Sequence, residues 1–127
     1  KALSRAGVTH GDLDLTMIYD SFTYTVMLTL EGLGFCAPGE VADFVAGQRT
    51  APGGDFPLNT SGGGLSYTHP GMYGIFLLVE AVRQLRGECG DRQVKHKGDS
   101  NQNAKLALVN GTGGSLSSTG TVVLATD

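Results

Sequence analysis

The segment "NTSGGGLSYTHPGMYG", residues 59–74, holds five glycines and a His-Pro pair within sixteen positions. A turn uses one or two glycines, and a packed core uses fewer, so this composition marks a loop that keeps its backbone approachable. Gly62, Gly63 and Gly64 present no side chain, which lets a bound group come close to the chain there. His69 follows that run and precedes Pro70, whose ring fixes the local backbone. A helix starting near Gly71 would aim its free amide groups back into the loop, a setting that suits an anion or a developing oxyanion. An imidazole so placed can take up a proton or steady an oxyanion at neutral pH.

Working outward, residues 49–71 show no periodicity, and a loop of that length in a compact domain is usually functional or disordered. The stretch "MYGIFLLVEAVRQLRGE" follows, with apolar positions 75, 78, 79, 82 and 85 predicting a mostly buried helix stopped by Gly87. Upstream, "KALSRAG" reads as helical turns closed by a left-handed Gly7. Residues 13–19, "LDLTMIY", alternate and are rich in β-formers, which predicts a strand. In "SFTYTVMLTLEGL", Phe22, Val26, Leu30 and Leu33 fall at helical spacing, although the β-branched threonines weaken the propensity. "GEVADFVAGQ" after Pro38 predicts a short helix with Glu40 in its first turn. Near the end, "AKLALVNG" and "STGTVVLAT" predict two strands joined by "NGTGGSLS". The order β-α-α-loop-α-β-β implies an α/β fold with a mixed sheet and helices packed on it.

The bulk properties set limits on this reading. A chain of 127 residues fits a single domain. Its 20 glycines are roughly twice the usual share and cluster in loops, with no repeat to suggest low complexity. A net charge of −3 gives no electrostatic footprint for nucleic acid. The longest apolar run, 75–79, is too short to span a bilayer. Cys36 and Cys89 have neither CxxC spacing nor a histidine cluster around them, which favours reduced thiols and a cytoplasmic setting over a disulfide or metal site. Nothing cationic lies beside either cysteine to make it reactive. His10 and His96 read as surface or hydrogen-bonded structural residues. The first residue, Lys1, leads to the expectation of a fragment preceded by further chain.

The glycine-rich segment resembles the Asn-x-x-Gly-Gly…Gly-His-Pro loop of the thiolase superfamily. Two further stretches match in order. "IYDSF" at 18–22 resembles the strand-to-helix motif that reads Asn-Glu-Ala-Phe in thiolases and His-Asp-Cys-Phe in the sterol-carrier type, and "VNGTGGSLSSTGTVVLAT" resembles the closing turn and last strand. Between them, "LLVEAVRQLRGECGDRQV" is similar to the sterol-carrier branch, which includes lipid-transfer and acetyl-CoA acetyltransferase proteins. Three ordered motifs are more specific than any one alone. The resemblance implies the C-terminal half of a two-half protein, residues 1–127 forming one thiolase-like domain, with the nucleophilic cysteine in the other half. It also implies an acyl-CoA substrate, no covalently bound cofactor, no metal, and a homodimer at full length.

Within that resemblance His69 takes the place of the histidine that activates the cysteine and helps form the oxyanion hole. The second, acid/base cysteine of thiolases falls on Val109 or Asn110, neither of which exchanges a proton. Tyr19 replaces the Asn or His of the first motif, and Thr68 precedes His69 where glycine is usual. Tyrosines stand in for the lost groups: Tyr19 at the strand end, with Tyr67 and Tyr73 flanking His69. A phenol can donate to an alkoxide or accept a proton from a hydroxyl, given help with its pKa of about 10. Tyr19 in this place resembles a branch that works as a retro-aldolase on β-hydroxyacyl-CoA steroid side chains, with a small OB-fold partner of the DUF35 kind. Tyr19 and His69 are therefore the candidate catalytic residues, and Tyr67, Tyr73, Gly63, Gly64 and Gly113 the candidate substrate-binding ones. The bland reading of the tyrosines is ring packing, and of Gly111, Gly113 and Gly114 a hairpin's need for positive φ. Asp20 is expected to cap the helix after it, with orientation of His69 or a backbone amide as the alternative, and Asn59 to pin the loop through an Asx-type turn. A non-catalytic acyl-CoA or lipid carrier on the same fold is the competing function.

Overall fold

The computed structural model describes residues 1–126. Its centre is a three-stranded mixed sheet of order β1-β4-β5, formed by β1 (Leu15–Ile18), β4 (Leu106–Gly113) and β5 (Ser118–Ala125). β1 runs parallel to β4 with Leu15 opposite Ala107 and Ile18 opposite Asn110, whereas β4 and β5 form an antiparallel pair along their full length. The parallel pair requires a long crossover, and the helices supply it: α2 (Thr23–Leu33), α3 (Val41–Val45), α4 (Gly63–Tyr67) and α5 (Gly74–Leu85). A short α1 (Ala2–Ala6) opens the chain and ends at Gly7 with φ 70°, the left-handed cap its sequence predicts. The α/β class and the mixed sheet are as expected.

The two sheet faces bury different cores. Leu15, Met17 and Tyr19 point to one side and meet Tyr73, Leu77 and Ala81 of the α5 region and Ala107 and Val109 of β4. Ile18 points to the other side and meets Leu30, Val41 and Phe56. This is the period-2 alternation of a strand, but both faces are covered, so β1 is buried along its whole length. Each fully buried side chain such as Leu77 or Ile18 contributes roughly 1.5–3 kcal/mol.

Four expectations need correction. The loop expected over residues 49–71 contains α4, and the helix after it starts at Gly74 rather than near Gly71, because the backbone bends through Gly71 at φ 78° first. Phe22 sits just before α2 and is exposed, so the apolar stripe of that helix begins with Val26. α5 buries Leu77, Glu80, Ala81 and Gln84, while Ile75 and Val79 face outward. The helix has apolar residues on two sides, and packing on the sheet selected the other one. A polar hairpin, β2 (Lys95–His96) with β3 (Asp99–Asn103), joins α5 to the sheet where no strand was predicted, because "KHKGDSNQN" has no apolar alternation. A buried carboxylate fastens it. Asp14 accepts bonds from the amides of Lys97, Lys105 and Leu106 and from the His96 ring, at 2.7–3.1 Å.

Candidate active site

The segment 57–59 runs beside β1 and completes its free edge. Thr16 N–H donates to the Pro57 carbonyl, and Asn59 N–H donates to the Thr16 carbonyl. The Asn59 side chain then continues the ladder, its Oδ1 accepting from Ile18 N–H and its Nδ2 donating to the Ile18 carbonyl, both at 2.8 Å. The Asn59 side chain therefore acts as one more peptide group along the edge rather than forming the Asx-type turn expected of it, while its backbone carbonyl accepts from Gly62 N–H at 2.7 Å. This pairing brings the glycine-rich loop to the C-terminal end of β1, where Tyr19 and Asp20 emerge.

Tyr19 and His69, fifty residues apart, meet there. The phenol oxygen lies 2.8 Å from His69 Nδ1, and the two rings are nearly parallel, 7° between planes. Tyr19 is 7% exposed and His69 lies on the surface, so the pair has a buried end and an accessible end. Behind Tyr19 stacks Tyr73, ring centroids 6.3 Å apart. Burial, with a Coulombic contribution from Asp20, pushes the Tyr73 hydroxyl above the ordinary phenol range and outweighs the opposing influence of Ser61. Tyr73 therefore stays protonated and backs the dyad. Tyr67, on the outer side of α4, is exposed.

Asp20, adjacent to Tyr19, reaches the opposite side of the same loop. Its carboxylate accepts from Gly64 N–H at 2.7 Å and from Leu65 N–H at 3.1 Å. It thus caps α4, 43 residues further on, and not α2, which begins with an uncapped Phe22. This geometry also accounts for the glycines. Gly63 is buried at φ 68°, and a Cβ there would fall inside the Asp20 carboxylate. A Cβ on Gly64 would stand 3.1 Å from Asp20 Oδ1, and one on Gly62 2.7 Å from Ser66 Oγ. The immediate occupant of the space left by Gly63 and Gly64 is the protein's own carboxylate. Gly113 has a similar neighbour, since a Cβ would lie 2.8 Å from Ser118 Oγ in the closing hairpin.

Sequence reasoning missed Glu80, a buried carboxylate in mid-helix. It accepts from Thr60 Oγ1, Gln84 Nε2 and the Arg92 guanidinium at 2.9–3.1 Å, so it ties the start of the loop to α5 and to the turn beyond it. Burial raises its pKa, but these donors overcome that effect and hold the carboxyl below the usual range. The one available signal was an acidic residue in the apolar stretch "FLLVEAV".

Of the other candidates, Val109 shares the Tyr19 face and Asn110 the opposite one, where it bonds Thr119 and Thr121. Both cysteines are free thiols. Burial and then the carboxylates of Glu31 and Glu40 push the Cys36 thiol up, and burial followed by Glu80 does the same for Cys89. Neither is an activated nucleophile. His10 bonds the Leu33 carbonyl through Nε2, the structural role expected of it. Among the described residues there is no cluster of three metal-ligating side chains and no helix long and apolar enough to cross a membrane.

A mixed sheet carrying a His-Pro loop against the exit of its first parallel strand is the arrangement of a thiolase-like domain. The family described as thiolase C-terminal domain-like matches residues 1–126, and the chain belongs to it. Its relatives span several activities. The chain is 45% identical over 86 residues to the 17-hydroxy-3-oxo-4-pregnene-20-carboxyl-CoA lyase of Mycobacterium tuberculosis, covering 66% of this chain and 21% of that protein. It is 38% identical over 114 residues to the acetyl-CoA acetyltransferase of Methanothermobacter thermautotrophicus, covering 89% and 28%. Against sterol carrier protein 2 of Homo sapiens the identity is 37% over 114 residues, covering 89% and 20%. The solved Ltp2-ChsH2(DUF35) aldolase superposes with a TM-score of 0.76 at 34% identity, over 98% of this chain and 30% of that one. The chain therefore spans less than a third of the length of each of these proteins.

Proposed function

We propose that this chain is the C-terminal part of an enzyme that makes or breaks a carbon–carbon bond in an acyl-CoA, and that it cleaves a β-hydroxyacyl-CoA by a retro-aldol step. The observation that carries this reading is the 2.8 Å contact between Tyr19 and His69. A phenol alone is a poor base at neutral pH, but a phenol bonded to an imidazole can pass its proton on as it receives another. In the proposed reaction Tyr19 removes the β-hydroxyl proton while its own proton moves to His69 Nδ1. The electron pair of the O–H bond forms the new carbonyl, the Cα–Cβ bond breaks, and its electrons become the enolate of the thioester. The imidazolium offers Nε2–H to that enolate oxygen, and the proton returns to the α-carbon to complete the products.

This chemistry needs no acyl-enzyme and no second cysteine, which agrees with Val109 on the Tyr19 face of β4. Coenzyme A enters as part of the substrate, and its contacts are assigned to the rest of the protein. Tyr67, Leu65, Met72, Ile75, Phe76 and Val79 are exposed large apolar side chains on the segment that carries His69 and on the helix after it, and we assign their cover to that remaining part and to substrate. We further propose a homodimer at full length, a cytoplasmic location consistent with free thiols, and a DUF35-type partner. The partner rests on the likeness to the Ltp2-ChsH2(DUF35) aldolase.

The test is done on the full-length protein. His69→Ala should abolish cleavage of β-hydroxyacyl-CoA, and Tyr19→Phe should lower kcat by about 10²–10⁴, the usual worth of a positioned acid or base. Brief exposure to acetyl-CoA followed by intact-mass measurement should show no acetyl adduct; an adduct would establish thiolase-type acyl transfer instead. The carrier reading is favoured by the absence of an acid/base cysteine at 109–110. It predicts acyl-CoA binding that survives Tyr19→Phe, with no cleavage by the parent.

A further inference from the structure

Tyr19 and Asp20 are consecutive residues at the end of β1, and both hold the same loop. Tyr19 contacts its far end at His69, and Asp20 binds its near end through Gly64 N–H and Leu65 N–H. Between those points lie α4, five residues long, and Thr68 in extended conformation at φ −169°. The segment is a short lever whose base is the Asp20 carboxylate. Asp20 is only 3% exposed and makes no ion pair among the described residues, where its two backbone bonds are its visible partners. The loop has adapted to it, since Gly63 takes a left-handed φ where a side chain would displace the carboxylate. A helix cap alone would call for none of this: α4 has five residues, too few to matter to stability as a helix.

We propose that Asp20 is a positioning residue, whose carboxylate fixes the base of α4 so that His69 stays in hydrogen-bond contact with Tyr19. Its consequence for turnover rests on the reading of Tyr19 and His69 as the proton-transfer pair; its consequence for geometry does not. Loss of the carboxylate frees the base of the lever, and His69, carried at the exposed end, swings out of reach of the buried phenol. A misplacement near 1 Å at the reacting groups is worth about a hundredfold in rate. Asparagine at this position keeps one oxygen for Gly64 N–H but sets an amide N–H against Leu65 N–H, so it retains half the anchor.

The experiment uses the full-length protein labelled with ¹³Cε1-histidine, the His69 signal being assigned by its loss in His69→Gln. Tyr19→Phe defines the chemical shift of a His69 without its phenol. Asp20→Ala should move the signal most of the way to that value and Asp20→Asn part of the way, with kcat falling by about a hundredfold for Asp20→Ala and KM little changed. A His69 signal at the wild-type position in both variants overturns the proposal whatever happens to the rate, since a purely structural Asp20 would leave the dyad intact. Should Asp20→Ala fail to fold, Asp20→Asn and Gly63→Ala, whose methyl displaces the carboxylate, give the same reading. If the signals shift as expected while Tyr19→Phe turns over normally, the positioning role stands and the catalytic assignment of the dyad falls.

Discussion

Replacing Asn59 with alanine tests whether a side-chain amide really completes the free edge of β1. Ile18 is fully buried, so its N–H and C=O, both bonded to Asn59 at 2.8 Å, have no access to water if the amide is removed. An orphaned buried backbone group is worth about 1–3 kcal/mol, giving about 2–6 kcal/mol for the two. Asn59 also sits at φ 47°, a left-handed conformation that asparagine tolerates and alanine does not, adding about 1 kcal/mol. Relaxation of the loop recovers part of this, so the expected loss is about 3–5 kcal/mol. Hydrogen exchange of the Ile18 amide reads the local term directly, because 1.4 kcal/mol is tenfold in an equilibrium and a loss of 3 kcal/mol exceeds a hundredfold in protection. Asn59→Asp supplies the internal control. It keeps an acceptor for Ile18 N–H but places an oxygen against the Ile18 carbonyl, so protection of that amide should fall less than in Asn59→Ala even though stability drops. Destabilisation under 1 kcal/mol by Asn59→Ala, with wild-type protection at Ile18, would refute the reasoning and show that the edge is satisfied by another group.

Other predictions follow from the same contacts. Glu80→Ala leaves Thr60, Gln84 and the Arg92 guanidinium without their shared acceptor and should destabilise by about 2–4 kcal/mol in denaturant titration, less than a fully buried pair because Arg92 is partly hydrated. Asp14 is held below the ordinary aspartate range: burial opposes this, but the amides of Lys97, Lys105 and Leu106 and the His96 ring prevail. Its stabilisation is thus present above the unfolded value of about 3.9 and is lost as pH falls through the lower folded value. Protection factors of the Lys97 and Lys105 amides, taken relative to the intrinsic exchange rate at each pH, should fall only below about pH 4, whereas Asp14→Asn should lower them already at pH 7. The 127-residue chain expressed alone should self-associate or bind a hydrophobic dye through Leu65, Met72, Ile75, Phe76 and Val79, and Phe76→Asp should suppress this in analytical ultracentrifugation.

Residue periodicity alone located α2, α5, β1, β4 and β5, because apolar spacing of 2 or 3.6 is a local property of the chain. The His-Pro loop was likewise legible as a candidate site, since glycine excess and a lone histidine are visible without coordinates. The hairpin β2–β3 was not, for its strands are held by Asp14, more than eighty residues away, and not by an apolar face. α5 has apolar side chains around most of its circumference, and only the sheet beneath it decided that Leu77 and Ala81 go inward and Ile75 and Val79 outward. The same holds for chemistry. Tyr19, Asp20 and Asn59 could each be singled out by type, yet their partners His69, Gly64 and Ile18 lie 50, 44 and 41 positions away. Those distances close because β1 pairs in parallel with β4, which obliges the intervening chain to cross over the sheet and pass the end of β1. Local sequence sets the elements and supplies the reactive groups, but the pairing of strands far apart in the chain decides which groups meet.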